Sequence, residues 1–138
     1  MSAELRFIDT NVLVYLFDSD APTKQAVARE LLGAGRFVLS TQVLSEFYVT
    51  VTRKLARPLD AARASRAVMD FCAMPIRDVT PKLVQAAIRR GTLTQLSYWD
   101  ALIVETALEA GATSLLTEDL QHGQIIDRLR VHNPFLAS

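Results

Sequence analysis

Leu5-Arg6-Phe7-Ile8-Asp9-Thr10-Asn11 is a short apolar run that closes on an acid and two further polar residues. A run this short, bounded by polar positions, reads as a buried strand. Outward along the chain, Phe37–Leu39 and Ser114–Leu116 repeat the pattern, each flanked by turn or polar residues. Longer segments with helical spacing lie between and around them: Thr23–Ala34, Gln42–Ala56, Leu59–Cys72, Pro81–Arg90 and Tyr98–Ala110. Strands alternating with helices predict an α/β fold whose mostly parallel sheet is covered on both faces. Met74–Val79 and Arg130–Asn133 are expected to add two further short strands.

Several boundaries carry their own chemistry. Thr80-Pro81 is an N-cap with proline at the first helical position, Ser97 with Asp100 fits a capping box, and Gly91 and Gly111 mark expected helix ends. The chain has 138 residues, half of them hydrophobic, and no repeat or linker divides it, so residues 1–138 are expected to form one domain. Cys72 is the sole cysteine and cannot make an internal disulfide; it is expected to be a small buried hydrophobe. With no leader-like segment and no run of about 18 apolar residues, the expected location is the cytoplasm and no membrane partner is expected.

Lys+Arg and Asp+Glu both number 15, which argues against a globally basic coat for nucleic acid. The positive charge is uneven, however: twelve of the cations are Arg, and Arg53, Lys54, Arg57, Arg63 and Arg66 lie close together with only Asp60 opposing them. Such a stretch is a solvated helix pair with ordinary charges or a basic patch whose Arg forks suit phosphate oxygens and carboxylates.

Ligands of open parallel sheets sit outside the carboxyl ends of the strands. Asp9 and Asp119 fall at that edge, each just beyond a strand. Asp100 is placed by its helix: at about 100° per residue it points roughly 160° away from the midpoint of Glu105 and Glu109, and so shares the apolar face with Ile103, Val104 and Ala107. A carboxylate turned inward needs a cation or several hydrogen bonds, or it takes up a proton. Glu46 stands beside the stripe Val43, Leu44, Phe47, Tyr48, Val51 and Leu55, in the first turns of a helix that follows a strand, and therefore belongs at the same edge. Four converging carboxylates with no matching His or Cys set form a hard oxygen site suited to Mg2+ or Mn2+, and such sites suit phosphodiester hydrolysis. His122 and His132 are expected at the surface, and Trp99 in the core.

The ordered set Phe7-Ile8-Asp9-Thr10-Asn11-Val12, Leu44-Ser45-Glu46-Phe47, Tyr98-Trp99-Asp100-Ala101-Leu102-Ile103 and Leu115-Leu116-Thr117-Glu118-Asp119-Leu120 resembles the PIN-domain ribonucleases, and more narrowly the VapC toxins of type II toxin-antitoxin pairs. The resemblance spans about Phe7 to Phe135. It implies a three-layer α/β/α sandwich and a Mg2+- or Mn2+-dependent endoribonuclease that forms a homodimer and is inhibited by a cognate antitoxin of the VapB type. Asp9, Glu46, Asp100 and Asp119 match the family's catalytic and metal-binding acids. Thr10, Asn11 and Thr117 match its supporting polar positions, and Glu118 is expected as an outer contact only. Arg53, Lys54 and Arg57 are candidate RNA-binding residues. The rivals fit less well: a haloacid-dehalogenase-like phosphatase needs a second acid where Asn11 stands, and a receiver domain needs a late Lys, whereas the last here is Lys82. A PIN-like fold that binds without cutting is the alternative outside enzymology, and the intact acid set counts against it.

Overall fold

The computed structural model describes residues 4–136. In chain order the elements are β1 (Leu5–Ile8), α1 (Thr10–Tyr15), α2 (Pro22–Leu32), β2 (Arg36–Ser40), α3 (Thr41–Arg53), α4 (Ala61–Phe71), β3 (Ile76–Arg77), α5 (Pro81–Leu93), α6 (Tyr98–Glu109), β4 (Ser114–Leu116), β5 (Ile125–Ile126) and β6 (Leu129–His132). The strands form a six-stranded sheet in the order β3-β2-β1-β4-β6-β5. All neighbours are parallel except β5 on β6. From β1 the chain steps outward to β2 and β3, then returns to the other side of β1 to lay down β4. The strand order therefore reverses between β1 and β4, which is where a parallel sheet opens a crevice at its carboxyl edge.

The apolar runs explain the core. Phe7, Ile8, Leu39 and Leu115 are fully buried, as are Leu13 of α1 and Phe47 of α3. Phe7 sits between Val38 of β2 and Leu115 of β4 in the sheet register. Phe17, Phe47 and Phe71 meet edge to face with ring centroids 5.0 to 6.5 Å apart, locking α3 and α4 to the turn after α1. A separate cluster of Leu83, Ala87, Ala101 and Leu102 joins α5 to α6. Helices thus cover both sides of the sheet: α1 touches α2 and α3, α3 touches α4, and α5 pairs with α6.

Polar side chains start the helices at the strand ends. Asp9 caps α1, Ser40 Oγ accepts from Val43 N to cap α3, and Ser97 Oγ accepts from Asp100 N to cap α6. Because α1 and α3 begin within two residues of β1 and β2, their first turns are fixed at the sheet's carboxyl edge. Gly111, at φ 79°, takes the left-handed conformation that ends α6.

Several expectations are corrected. α5 runs through Gly91 to Leu93, because its packing against α6 outweighs glycine's weak helix preference. Trp99 is 60% exposed rather than in the core, because the buried residues of α6 begin only at Ala101. Cys72 is exposed too. The buried face of α4 is Ala64, Ala67 and Phe71, and one further residue rotates Cys72 off it. The helix α1 was not expected, since Val12 to Phe17 is an unbroken apolar run with no amphipathic period. The antiparallel β5 is likewise an addition, joined to β6 by a tight turn with Asp127 at φ 54°. His122 and His132 are exposed, as expected, and contact each other with ring centroids 5.2 Å apart.

Candidate active site

The first acid beyond β1 is the most deeply placed. Asp9 is 6% exposed, and both of its oxygens are engaged: Oδ1 accepts from Thr10 N at 2.7 Å and Oδ2 from Thr117 Oγ1 at 2.8 Å. Burial pushes its carboxyl up to about 7; the hydrogen bonds from Thr117 and Thr10 oppose the rise, and the charges of Asp119 and Glu46 add to it. Without a compensating cation, this group is divided between its acid and carboxylate forms at neutral pH.

The other acids come to the same edge from three separate stretches of chain. Glu46, one turn into α3, accepts from Thr10 Oγ1 at 2.8 Å and from Gln42 Nε2 at 3.3 Å. Asp119, in the loop after β4, accepts from Asn11 Nδ2 at 2.9 Å. Asp100 lies in the first turn of α6, half-buried rather than wholly turned in. Burial raises its pKa, a side-chain hydrogen bond with Ser97 opposes the rise, and Asp119 and Glu46 push the same way as burial. Asp9 and Asp100 therefore both feel Asp119 and Glu46, so the four acids form one electrostatic unit.

Thr117 is the hub of the surrounding network. It is fully buried, and its Oγ1 donates to Asp9 while accepting from Asp119 N at 3.0 Å and Asn11 Nδ2 at 3.3 Å. Thr10, Asn11 and Thr117 thus each donate to a different acid. Glu118 is occupied elsewhere: Lys24 Nζ lies 2.9 Å from its carboxylate, and the Tyr15 hydroxyl donates to it. The basic stretch does not form one surface. Lys54 lines a groove beside Glu46, Arg63 and Arg66 line another with Phe17 and Asp70, and Arg57 pairs loosely with Asp20 at 3.7 Å.

One residue of this network escaped sequence reasoning. Gln42 is buried, and its Nε2 reaches both Glu46 and the Trp99 carbonyl, at 3.2 Å, thereby tying the acid of α3 to the start of α6. Its spacing of four residues from Glu46 on one helix was the available signal.

Among the described residues, no three of His, Cys, Asp and Glu are grouped as they would be around an ion. The chemistry of the donors nevertheless fits a hard divalent cation. All are carboxylates, the innermost has its proton affinity raised by burial and by two like charges, and a cation would relieve both effects.

A family model described as PIN domain matches residues 6–126. The chain belongs to the PIN domain family. Among relatives of this PIN domain, Ribonuclease VapC7 of Mycobacterium tuberculosis is 29% identical over 136 residues, covering 90% of this chain and 88% of that protein. A toxin-antitoxin complex from Klebsiella pneumoniae has the same fold, with a TM-score of 0.71 at 19% identity, covering 94% of this chain and 98% of its own. Mycobacterium tuberculosis VapC20, a sarcin-ricin loop cleaving toxin, gives 0.65 at 19% identity over 80% of this PIN domain and 86% of its own chain. The expected sandwich with a mostly parallel sheet is thereby established.

Proposed function

We propose that this PIN domain is a Mg2+- or Mn2+-dependent endoribonuclease and the toxin of a type II toxin-antitoxin pair. The observation that carries the reading is the acid set. Four carboxylates from four separate stretches of chain lie at the sheet's carboxyl edge, near enough for Asp119 and Glu46 to raise the proton affinity of both Asp9 and Asp100. Each has a polar neighbour: Thr117 for Asp9, Thr10 for Glu46, Asn11 for Asp119 and Ser97 for Asp100. Family membership and the likeness to a VapC ribonuclease support it.

Asp9, Glu46, Asp100 and Asp119 would hold the ion. When bound, Mg2+ or Mn2+ supplies Lewis acidity toward a phosphodiester and toward the water that attacks it. The chain's own contribution is preorganisation. Thr10, Asn11 and Thr117 fix the carboxylates before substrate arrives, so little reorganisation accompanies the reaction. Four carboxylates repel a phosphate, and entry of RNA needs countercharge along the strand. Arg53, Lys54 and Arg57 are exposed at and just beyond the end of the helix that carries Glu46 and supply it, with an affinity that falls as salt rises. A cognate antitoxin of the VapB type inhibits by offering a cation to the same acids. The working form is a homodimer in the cytoplasm, where its RNA is.

The test is cleavage of end-labelled total and transfer RNA by the purified protein in Mg2+, in Mn2+ and in EDTA, beside Asp9→Asn and Asp100→Asn. Discrete cuts that vanish in EDTA and in both variants are expected. Cuts that persist in the variants would assign the activity to a contaminant, and metal binding without any cleavage would favour a PIN fold that binds without cutting.

A further inference from the structure

The groove that Glu46 and Lys54 line also has an apolar wall to which the chemistry above gives no part. It has a volume of about 730 Å3, its apolar wall includes Val49, Val84, Tyr98 and Trp99, and Glu46 and Lys54 are among its polar members. Trp99 is the protein's sole tryptophan and leaves 60% of its surface in solvent, one residue before Asp100. Large exposed aromatic surface in a concave site marks a place for a ligand.

The ring stands on a fixed base. The Trp99 carbonyl accepts from Gln42 Nε2 at 3.2 Å, and the same amide donates to Glu46 at 3.3 Å. Gln42 Oε1 is buried without a partner, yet turning the amide over would aim that oxygen at a carboxylate and a carbonyl, so the orientation is set by charge. Tyr98, packed on the cluster that joins α5 to α6, meets Trp99 at 71° with ring centroids 4.9 Å apart. The two rings meet edge to face rather than stacking, and Trp99 remains mostly exposed. One amide thus holds an aromatic platform and a carboxylate of the acid set in a single frame.

We propose that this groove seats an unstacked nucleobase of single-stranded RNA against Trp99, next to the phosphate brought to the four acids; the inference rests on the ribonuclease reading above. Stacking on an aromatic ring tolerates every base, and Lys54 supplies countercharge for the adjoining phosphate. Glu46 lines the same groove, so a strand seated there leads directly to the acid set. The consequence is a substrate rule: the cut falls beside an unpaired nucleotide, in a loop or a single-stranded end.

Because Trp99 is the sole tryptophan, its fluorescence reports on the groove directly. The intact protein in EDTA is titrated with a short single-stranded RNA that it cleaves when metal is supplied, and with the same RNA made abasic at one position at a time. Quenching is expected, with affinity falling on the order of tenfold for one abasic position and little for the rest. In cleavage assays with Mn2+, Trp99→Ala is expected to raise KM by a similar factor and loosen the choice of cut, whereas Trp99→Phe restores both. Fluorescence unmoved by an RNA that the protein cleaves, or an unchanged KM and cleavage pattern in Trp99→Ala, overturns the proposal alone. A blue shift with rising protein concentration without RNA, together with loss of a dimer in Trp99→Ala by sedimentation, assigns the groove to a second copy and overturns it as well. Failure of the wild-type protein to cut any RNA overturns the ribonuclease reading together with this one.

Discussion

Asp9 combines deep burial with two hydrogen bonds and two neighbouring like charges, and burial wins: its carboxyl is pushed up to about 7 from 3.8. The folded protein therefore holds this proton over a pH range in which the unfolded chain has lost it. The stability that Asp9 contributes is complete below the unfolded value and is lost as pH rises through about 7. In EDTA, urea denaturation should give lower stability at about pH 8 than at about pH 5, by up to a few kcal/mol, and Asp9→Asn should remove most of that difference. An undiminished difference in the variant would place the proton elsewhere. Thr117 makes a second residue-scale case. Thr117→Val keeps the shape but strands Asp119 N and an oxygen of Asp9 and leaves Asn11 Nδ2 with its bond to Asp119 alone, at a cost of about 1–3 kcal/mol. RNA cleavage should fall at least tenfold, Thr117→Ser should recover most of it, and equal loss in both would mean that the methyl group matters rather than the hydroxyl. That Asp9, Glu46, Asp100 and Asp119 stand at strand ends and helix starts was legible in the sequence, because such junctions announce themselves locally. Their bonds to Thr117, Thr10 and Asn11 were not legible, since Thr117 lies 108 residues from Asp9.

At the scale of elements, local signals placed the helix starts better than the helix ends. Ser97 and Thr80 cap their helices as expected, with side chains accepting from Asp100 N and Leu83 N. A cap is settled by residues three apart, whereas a helix end depends on what the last turn packs against. Gly91 shows the difference. It sits inside α5 with an ordinary helical backbone, and a Cβ there would meet only Leu96 O at 3.7 Å and Tyr98 Cα at 3.9 Å, which is normal contact. Gly91→Ala should therefore raise stability by about 0.5–1 kcal/mol with cleavage unchanged, as read by thermal unfolding. A loss of stability would mean that the segment from Leu96 to Tyr98 cannot yield by even a fraction of an ångström. α1 went unread for the opposite reason: a six-residue helix buried through Val12, Leu13 and Val14 has no polar face to reveal its period.

Across the whole molecule, the fold sets several carboxylates at one edge, where burial and the charges of Asp119 and Glu46 work against the ionised forms of Asp9 and Asp100. Removing one charge should relieve the metal-free protein. Asp100→Asn should unfold at an equal or higher temperature than wild type in EDTA, while losing most of the rise that Mn2+ gives the wild type, which is about 2.7 kcal/mol at a hundredfold excess over Kd. A Mn2+ shift of full size in the variant would remove Asp100 from the metal site. The sequence by itself determined the alternation of strands and helices, the acids at their junctions and the resemblance to the PIN family, because these depend on short-range periodicity and on motif order. Tertiary structure alone decided that Trp99 and Cys72 face solvent, that Gln42 bridges Glu46 to Trp99, and that Lys54 lines one groove while Arg63 and Arg66 line another. Each of these turns on which surfaces meet across the sheet edge, a matter of how far one element overhangs another that no local pattern of residues encodes.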